Sequence, residues 1–143
     1  MIGIVSDHRG YELKKEIISK LKDMAIDYGT NSSDSVDYPD YAKLLAEKVI
    51  NHEIDFGIAI CGTGIGMSIA CNKFNDIRCA KVNNIKEAFL ARSHNNANIM
   101  AISSETNIDD VLEWIDTFIK TKFSDEEKHH RRVSKISEIE KNK

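Results

Sequence analysis

Cys61 closes an apolar run and stands directly before three alternating glycines, in ICGTGIG (60–66). A thiol there admits three chemistries: a neighbour to a bound dinucleotide, a nucleophile toward phosphate, or a base that moves a proton on a small anionic substrate. The dinucleotide fingerprint G-x-G-x-x-G fails, because its third glycine falls on Met67 or, one register on, on Ile69. The ribose-binding acid is missing after the next strand, which ends Lys81-Val82-Asn83, and no P-loop lysine is present. A cysteine phosphatase needs an arginine six residues on to steady the transferring phosphoryl group; Met67 holds that place. Proton transfer survives. A cysteine before a helix N-terminus sits where unpaired N–H groups favour an anion. Gly62, Gly64 and Gly66 let successive N–H groups turn into one space. A base beside such a nest is what proton abstraction next to a carbonyl requires. The same stretch also fits a tight strand–helix turn around a buried cysteine.

A second polar group, ARSHNNANI (91–99), places His94, Asn95, Asn96 and Asn98 at the entrance to a strand and reads as a polar site. A third is the basic run Lys128, His129, His130, Arg131 and Arg132, which precedes a thin apolar stripe of Val133, Ile136 and Ile139.

The elements that must position these residues alternate. Strands are expected at 2–5, 25–28, 56–60, 77–82 and 98–103. Helices are expected at 12–24, from Pro39 onward, at about 65–73, at 85–93 and at 108–123. Apolar strands alternating with helices predict an α/β chain: a parallel sheet covered by helices on both faces. Ligands bind such sheets beyond the carboxyl ends of the strands. Strand 1 ends at Ser6-Asp7-His8 and strand 3 at Cys61-Gly62-Thr63-Gly64, so Asp7, His8 and Cys61 share that rim. His94 enters at the amino ends and cannot easily reach Cys61 within one domain. It can do so from a neighbouring subunit.

With 143 residues, the chain reads as one domain, 1–143, with a C-terminal helix over 124–143. A thin stripe cannot build its own core, so that helix should pack on something. A net charge of −3 argues against coating nucleic acid, and no apolar run is long enough to span a membrane. The N-terminus reads as a buried strand rather than a signal peptide, which predicts a cytoplasmic protein. The three cysteines form no C-x-x-C pair, which disfavours a disulfide framework and a zinc site; Cys71 and Cys79 read as small core residues.

The segments SDHRGYELK, VDYPDYA, GIAICGTGIGMSIACNKFNDIRCA, SHNNANIMAI and KHHRRVSKISEIE follow in order over nearly the whole chain. Together they resemble the type B ribose 5-phosphate isomerases, whose family includes galactose 6-phosphate and allose 6-phosphate isomerases. The resemblance implies a three-layer α/β/α sandwich, Rossmann-like, on a five-stranded parallel sheet with an extended C-terminal helix. It implies a homodimer, or a tetramer of paired dimers, with sites at the interface. The reaction would interconvert ribose 5-phosphate and ribulose 5-phosphate, a step of the pentose phosphate pathway, through a cis-enediolate and without metal or cofactor. By position, Cys61 is the base. Backbone N–H groups of Gly62, Gly64, Ile65, Gly66 and Met67 hold the enediolate oxygen. Asp7 and Thr63 bind the sugar oxygens or relay protons there. His94 of the partner opens the ring with Asn95 alongside. His8 and Arg132 hold the phosphate. Lys128 stands where the family commonly has arginine and lacks its planar fork, which leaves Arg131 as a substitute. Rival readings are an allose 6-phosphate or other hexose 6-phosphate isomerase, and a non-catalytic phosphate- or nucleotide-sensing module.

Overall fold

A computed structural model describes residues 1–142. Five strands, β1 (Ile2–Ser6), β2 (Ala25–Asp27), β3 (Phe56–Cys61), β4 (Cys79–Lys81) and β5 (Ile99–Ser103), form one sheet in the order β2-β1-β3-β5-β4. Every pairing is parallel. Alternation along the strands sorts two cores. Ile58 and Ile60 of β3, with Met100 and Ile102 of β5, pack on one face with α1 (Tyr11–Leu21), α4 (Ile85–Ser93) and α5 (Ile108–Lys120). Ala59 and Cys61, with Ile99 and Ala101, pack on the other with α2 (Tyr38–Ile50) and α3 (Ile65–Cys71). This is the expected three-layer sandwich. A last helix, α6 (Glu127–Lys141), follows. The expected C-terminal helix included Lys143, which lies outside the described residues.

The strand order fixes where a ligand can sit. From β1 the chain moves outward to β2, whereas from β3 it moves the opposite way, to β4. Between β1 and β3 the connections diverge, and a crevice opens beyond their carboxyl ends.

Several boundaries differ from expectation for identifiable reasons. The first helix stops at Leu21 because Lys22 adopts a left-handed φ of 52° and returns its N–H to Ile18. A single 3-10 turn, Lys22–Met24, follows. The strand expected at 77–82 is reduced to three residues, since the Arg78 N–H goes to the Asn98 side chain (2.9 Å). The final helix begins at Glu127 rather than 124, because Ser124 donates its N–H back to Ser93 (2.9 Å).

One charge lies inside the fold. The Lys14 side chain is fully buried, and its ammonium donates to Asp27 Oδ1 at 2.7 Å. The same oxygen accepts the Gly29 N–H at 2.8 Å. Among the described residues, no helix is long and apolar enough to cross a membrane.

Candidate active site

The β1–β3 crevice collects the first group of candidates. Asp7 is buried; its N–H donates to Ile60 O (3.1 Å), and its Oδ1 accepts the N–H groups of Arg9 (2.9 Å) and Gly10 (3.1 Å). One carboxylate oxygen is thereby fixed, and Oδ2 stays free for a ligand. His8 is half-buried, and its Nδ1 accepts the Val36 N–H at 3.2 Å. That bond puts the proton of the neutral ring on Nε2.

Cys61 is 4% exposed and packs beside Val5, Ala59 and Met67. The turn after it is pinned from β5: Ser104 N–H donates to Cys61 O (2.9 Å), and Ser103 Oγ donates to Gly62 O (2.8 Å). Gly64 has φ +80°, and a Cβ there would lie 2.9 Å from the Ile102 carbonyl carbon. Only glycine meets both conditions. Thr63 Oγ1 accepts the Ile65 N–H at 3.1 Å, so that amide is committed and the hydroxyl proton is free to donate. The amides of Gly62, Gly64, Gly66 and Met67 donate to no partner among the described residues. An anion held by this turn therefore meets four free N–H groups rather than the full expected set.

The remaining candidates lie at the other end of the sheet. Gly57 of β3 pairs with Ile99, and Cys61 with Ser103. The length of the strands, about 13 Å, thus separates the Cys61 rim from the loop before β5. His94 and Asn95 are exposed at the end of α4. Asn96 and Asn98 are not part of a polar site, contrary to their sequence reading. Asn96 has a left-handed φ of 48°; its Oδ1 accepts from Arg92 Nη1 (2.8 Å) and its carbonyl from Arg78 Nε (2.8 Å). Asn98 ties Arg78 N–H to Asp76 O. Both amides shape the loop that presents His94. Burial holds the Arg92 and Arg78 guanidinium pKa values below the ordinary arginine range.

The tail adds one residue whose part sequence reasoning missed. His129 is buried and stacks on His94, ring centroids 4.2 Å apart and 23° from parallel. Burial pushes its pKa down, and the neighbouring His94 adds to that. Of the basic run, Arg131 pairs with Glu127, Lys128 lies 3.8 Å from Glu126, and Arg132 is exposed without an ion pair among the described residues. The apolar stripe does not seal against its own chain: Ile136 is 39% and Ile139 62% exposed. They line a groove of about 420 Å³ with Arg78, Cys79, Asn95 and Ala97.

Cys71 and Cys79 are buried as expected, and a hydrogen bond between the thiols, then burial, holds the Cys79 pKa well above the ordinary range.

These features can be set beside known proteins. Ribose-5-phosphate isomerase B of Clostridium thermocellum superposes with a TM-score of 0.94 at 48% identity, over 99% of this chain and 97% of that one. The corresponding protein of Mycoplasma genitalium, solved with bound ribulose-5-phosphate, gives 0.91 at 41% identity over 99% and 97%. Ribose-5-phosphate isomerase B of Escherichia coli K12 is 38% identical over 97% of this chain and 95% of its own. Residues 2–136 match the sequence pattern described as Ribose/Galactose Isomerase. With the sheet order, the Cys61 turn and these likenesses in agreement, the chain belongs to the ribose/galactose isomerase family.

Proposed function

We propose that the chain is an aldose–ketose isomerase that interconverts ribose 5-phosphate and ribulose 5-phosphate. The observation that carries this reading is the meeting of Cys61, Asp7 and Thr63 with four free amides at the β1–β3 crevice. The ribulose-5-phosphate bound to the Mycoplasma genitalium relative favours a pentose over a hexose phosphate.

In the aldose-to-ketose direction, the Cys61 thiolate takes the proton from C2. The electron pair becomes the C1–C2 double bond, and negative charge gathers on O1. The amides of Gly62, Gly64, Gly66 and Met67 face that oxygen and stabilise it where it forms. Asp7 and Thr63 carry the proton from O2 to O1. Cys61 then returns its proton to C1, leaving a carbonyl at C2. The proton is conserved on one group throughout, so the step needs no outside acid.

The site is completed by a second chain. His94 and Asn95 lie a sheet's length from Cys61, so they serve a partner's site, where His94 opens the furanose ring. Arg132, with Lys128 or Arg131, reaches the same partner and joins His8 on the phosphate. The open groove beside Ile136 and Ile139 supports this, since an apolar stripe left half-exposed gains by covering. Residues 1–143 then form one domain whose tail, 124–143, crosses to the partner in a homodimer. Three free cysteines fit a reducing cytoplasm.

The test is a coupled assay with ribose 5-phosphate in the presence of EDTA. Ribulose 5-phosphate should form at an enzymatic rate. A protein that binds the substrate without turning it over is a sensing module instead.

A further inference from the structure

We infer that Arg9 grips the phosphate of the substrate at the Cys61 rim, an inference that rests on the isomerase reading of that site. The chain has five arginines. Three commit their guanidinium groups internally: Arg78 to Asn96, Arg92 to Asn96 and Ala97, and Arg131 to Glu127. Two remain without a hydrogen bond or ion pair from the guanidinium among the described residues, Arg132 on the tail and Arg9 on the rim.

The position of Arg9 is built. Its N–H is held by Asp7 Oδ1 at 2.9 Å, in the turn that also carries His8. Its exposed side chain reaches across to β3 and lies over Gly62, where a Cβ would stand 2.7 Å from Nη1 and 3.0 Å from Cδ. A side chain at Gly62 would meet the guanidinium where it now lies. Cys61 packs toward α2 and α3, whereas Gly10, next to Arg9, packs on Ile60 of the opposite face. The guanidinium lies over the residue that directly follows the thiol at the end of β3. A sugar phosphate laid over that end has its reacting carbons at the thiol and its phosphate at the guanidinium.

Charge points the same way. The protein carries a net −3, so a dianionic substrate meets no general attraction and needs local cations. At position 128 the tail offers lysine, a point charge without a fork. Arg9 supplies the planar, two-pronged donor set that phosphate accepts best.

The test compares wild type with Arg9→Gln and Arg9→Lys. KM for ribose 5-phosphate, kcat, and the dissociation constant of inorganic phosphate are measured, the last by calorimetry on the resting protein. In Arg9→Gln, KM and the phosphate constant should rise together, by roughly 10- to 100-fold, with kcat falling less than KM rises. Arg9→Lys should recover part of the loss. Unchanged phosphate binding in Arg9→Gln overturns the assignment. So does a fall in kcat at constant KM, which marks Arg9 as a group acting on the reacting oxygens. A wild type that binds phosphate through Arg9 but isomerises nothing sinks the isomerase reading alone, because calorimetry needs no turnover.

Discussion

At the carboxyl end of the sheet the candidate groups are mostly buried and pinned; at the amino end they are exposed and borrowed from loops. Asp7 directly follows β1 and Cys61 ends β3, and each is held by a backbone hydrogen bond to its neighbour, Asp7 N–H to Ile60 O and Ser104 N–H to Cys61 O. His94 and Asn95 stand on a loop whose shape depends on Arg92 and Arg78, with Asn95 lining the groove beside the exposed Ile136 and Ile139 of α6. The difference teaches that the sheet fixes the Cys61 rim by its own hydrogen bonds and leaves the His94 loop on display. On the proposed reading, the groups that stay dry and fixed belong to the first, and those that serve a second chain belong to the second.

The largest effect expected from this division is at Cys61. Cys61→Ala should reduce turnover of ribose 5-phosphate by about 10²- to 10⁴-fold, with the fold and phosphate binding intact. Steady-state kinetics and a melting curve check both parts, and activity within a few-fold of wild type removes Cys61 as the base. Next comes a direct attack on the division itself. Cys61→Ala and His94→Asn chains should each be nearly inactive alone. Mixed and allowed to exchange subunits, they should recover roughly a quarter of wild-type activity, because half of the twofold-symmetric dimers then hold one intact site of two. No recovery on verified exchange means that His94 serves its own chain or none.

Smaller effects sharpen the contrast between the ends. Gly64→Ala forces a side chain into a left-handed conformation against the Ile102 carbonyl, and should lower Tm by about 5 °C while weakening the turn. The smallest effect concerns His129, whose ring stacks on His94, lies 3.6 Å from Glu126 and feels the charges of Lys128 and Arg132. Its pKa in the folded chain lies below the ordinary 6.5, so the unfolded chain binds the extra proton first as pH falls. The stability held by the neutral ring is complete above about pH 6.5 and is lost as pH drops through the folded value. Denaturant titrations across that range should show the loss in wild type and a flatter profile in His129→Gln. An equal slope in both removes the His94–His129 stack as its source.

The fold was legible because alternating strand and helix patterns are local. Ile58 and Ile60 against Ala59 and Cys61 are sorted by the two-residue period alone. The rim was legible too, since strand ends mark it. What escaped depends on partners distant in sequence. Asn96 and Asn98 look like a polar site until Arg78 and Arg92 fold back onto them. His129 reads as one more member of a basic run until its ring meets His94. Arg9 gives no signal of its own, because only the space above Gly62 shows where its side chain goes.

Lys14 teaches a related lesson about assembly. In sequence it is an ordinary helix lysine; in the fold it is a dehydrated ammonium with one counter-charge, Asp27, on an edge strand of three residues. So short a strand has little to tell it which alignment is correct. Yet Asp27 stands opposite Ile4, and a slip of one residue would put Ile26 or Tyr28 where the carboxylate belongs. The stranded charge would cost on the order of 3 kcal/mol, comparable to much of what so small an edge contributes. The ion pair thus acts as a proofreading contact: β2 joins the sheet in one alignment or leaves a charge unanswered inside it.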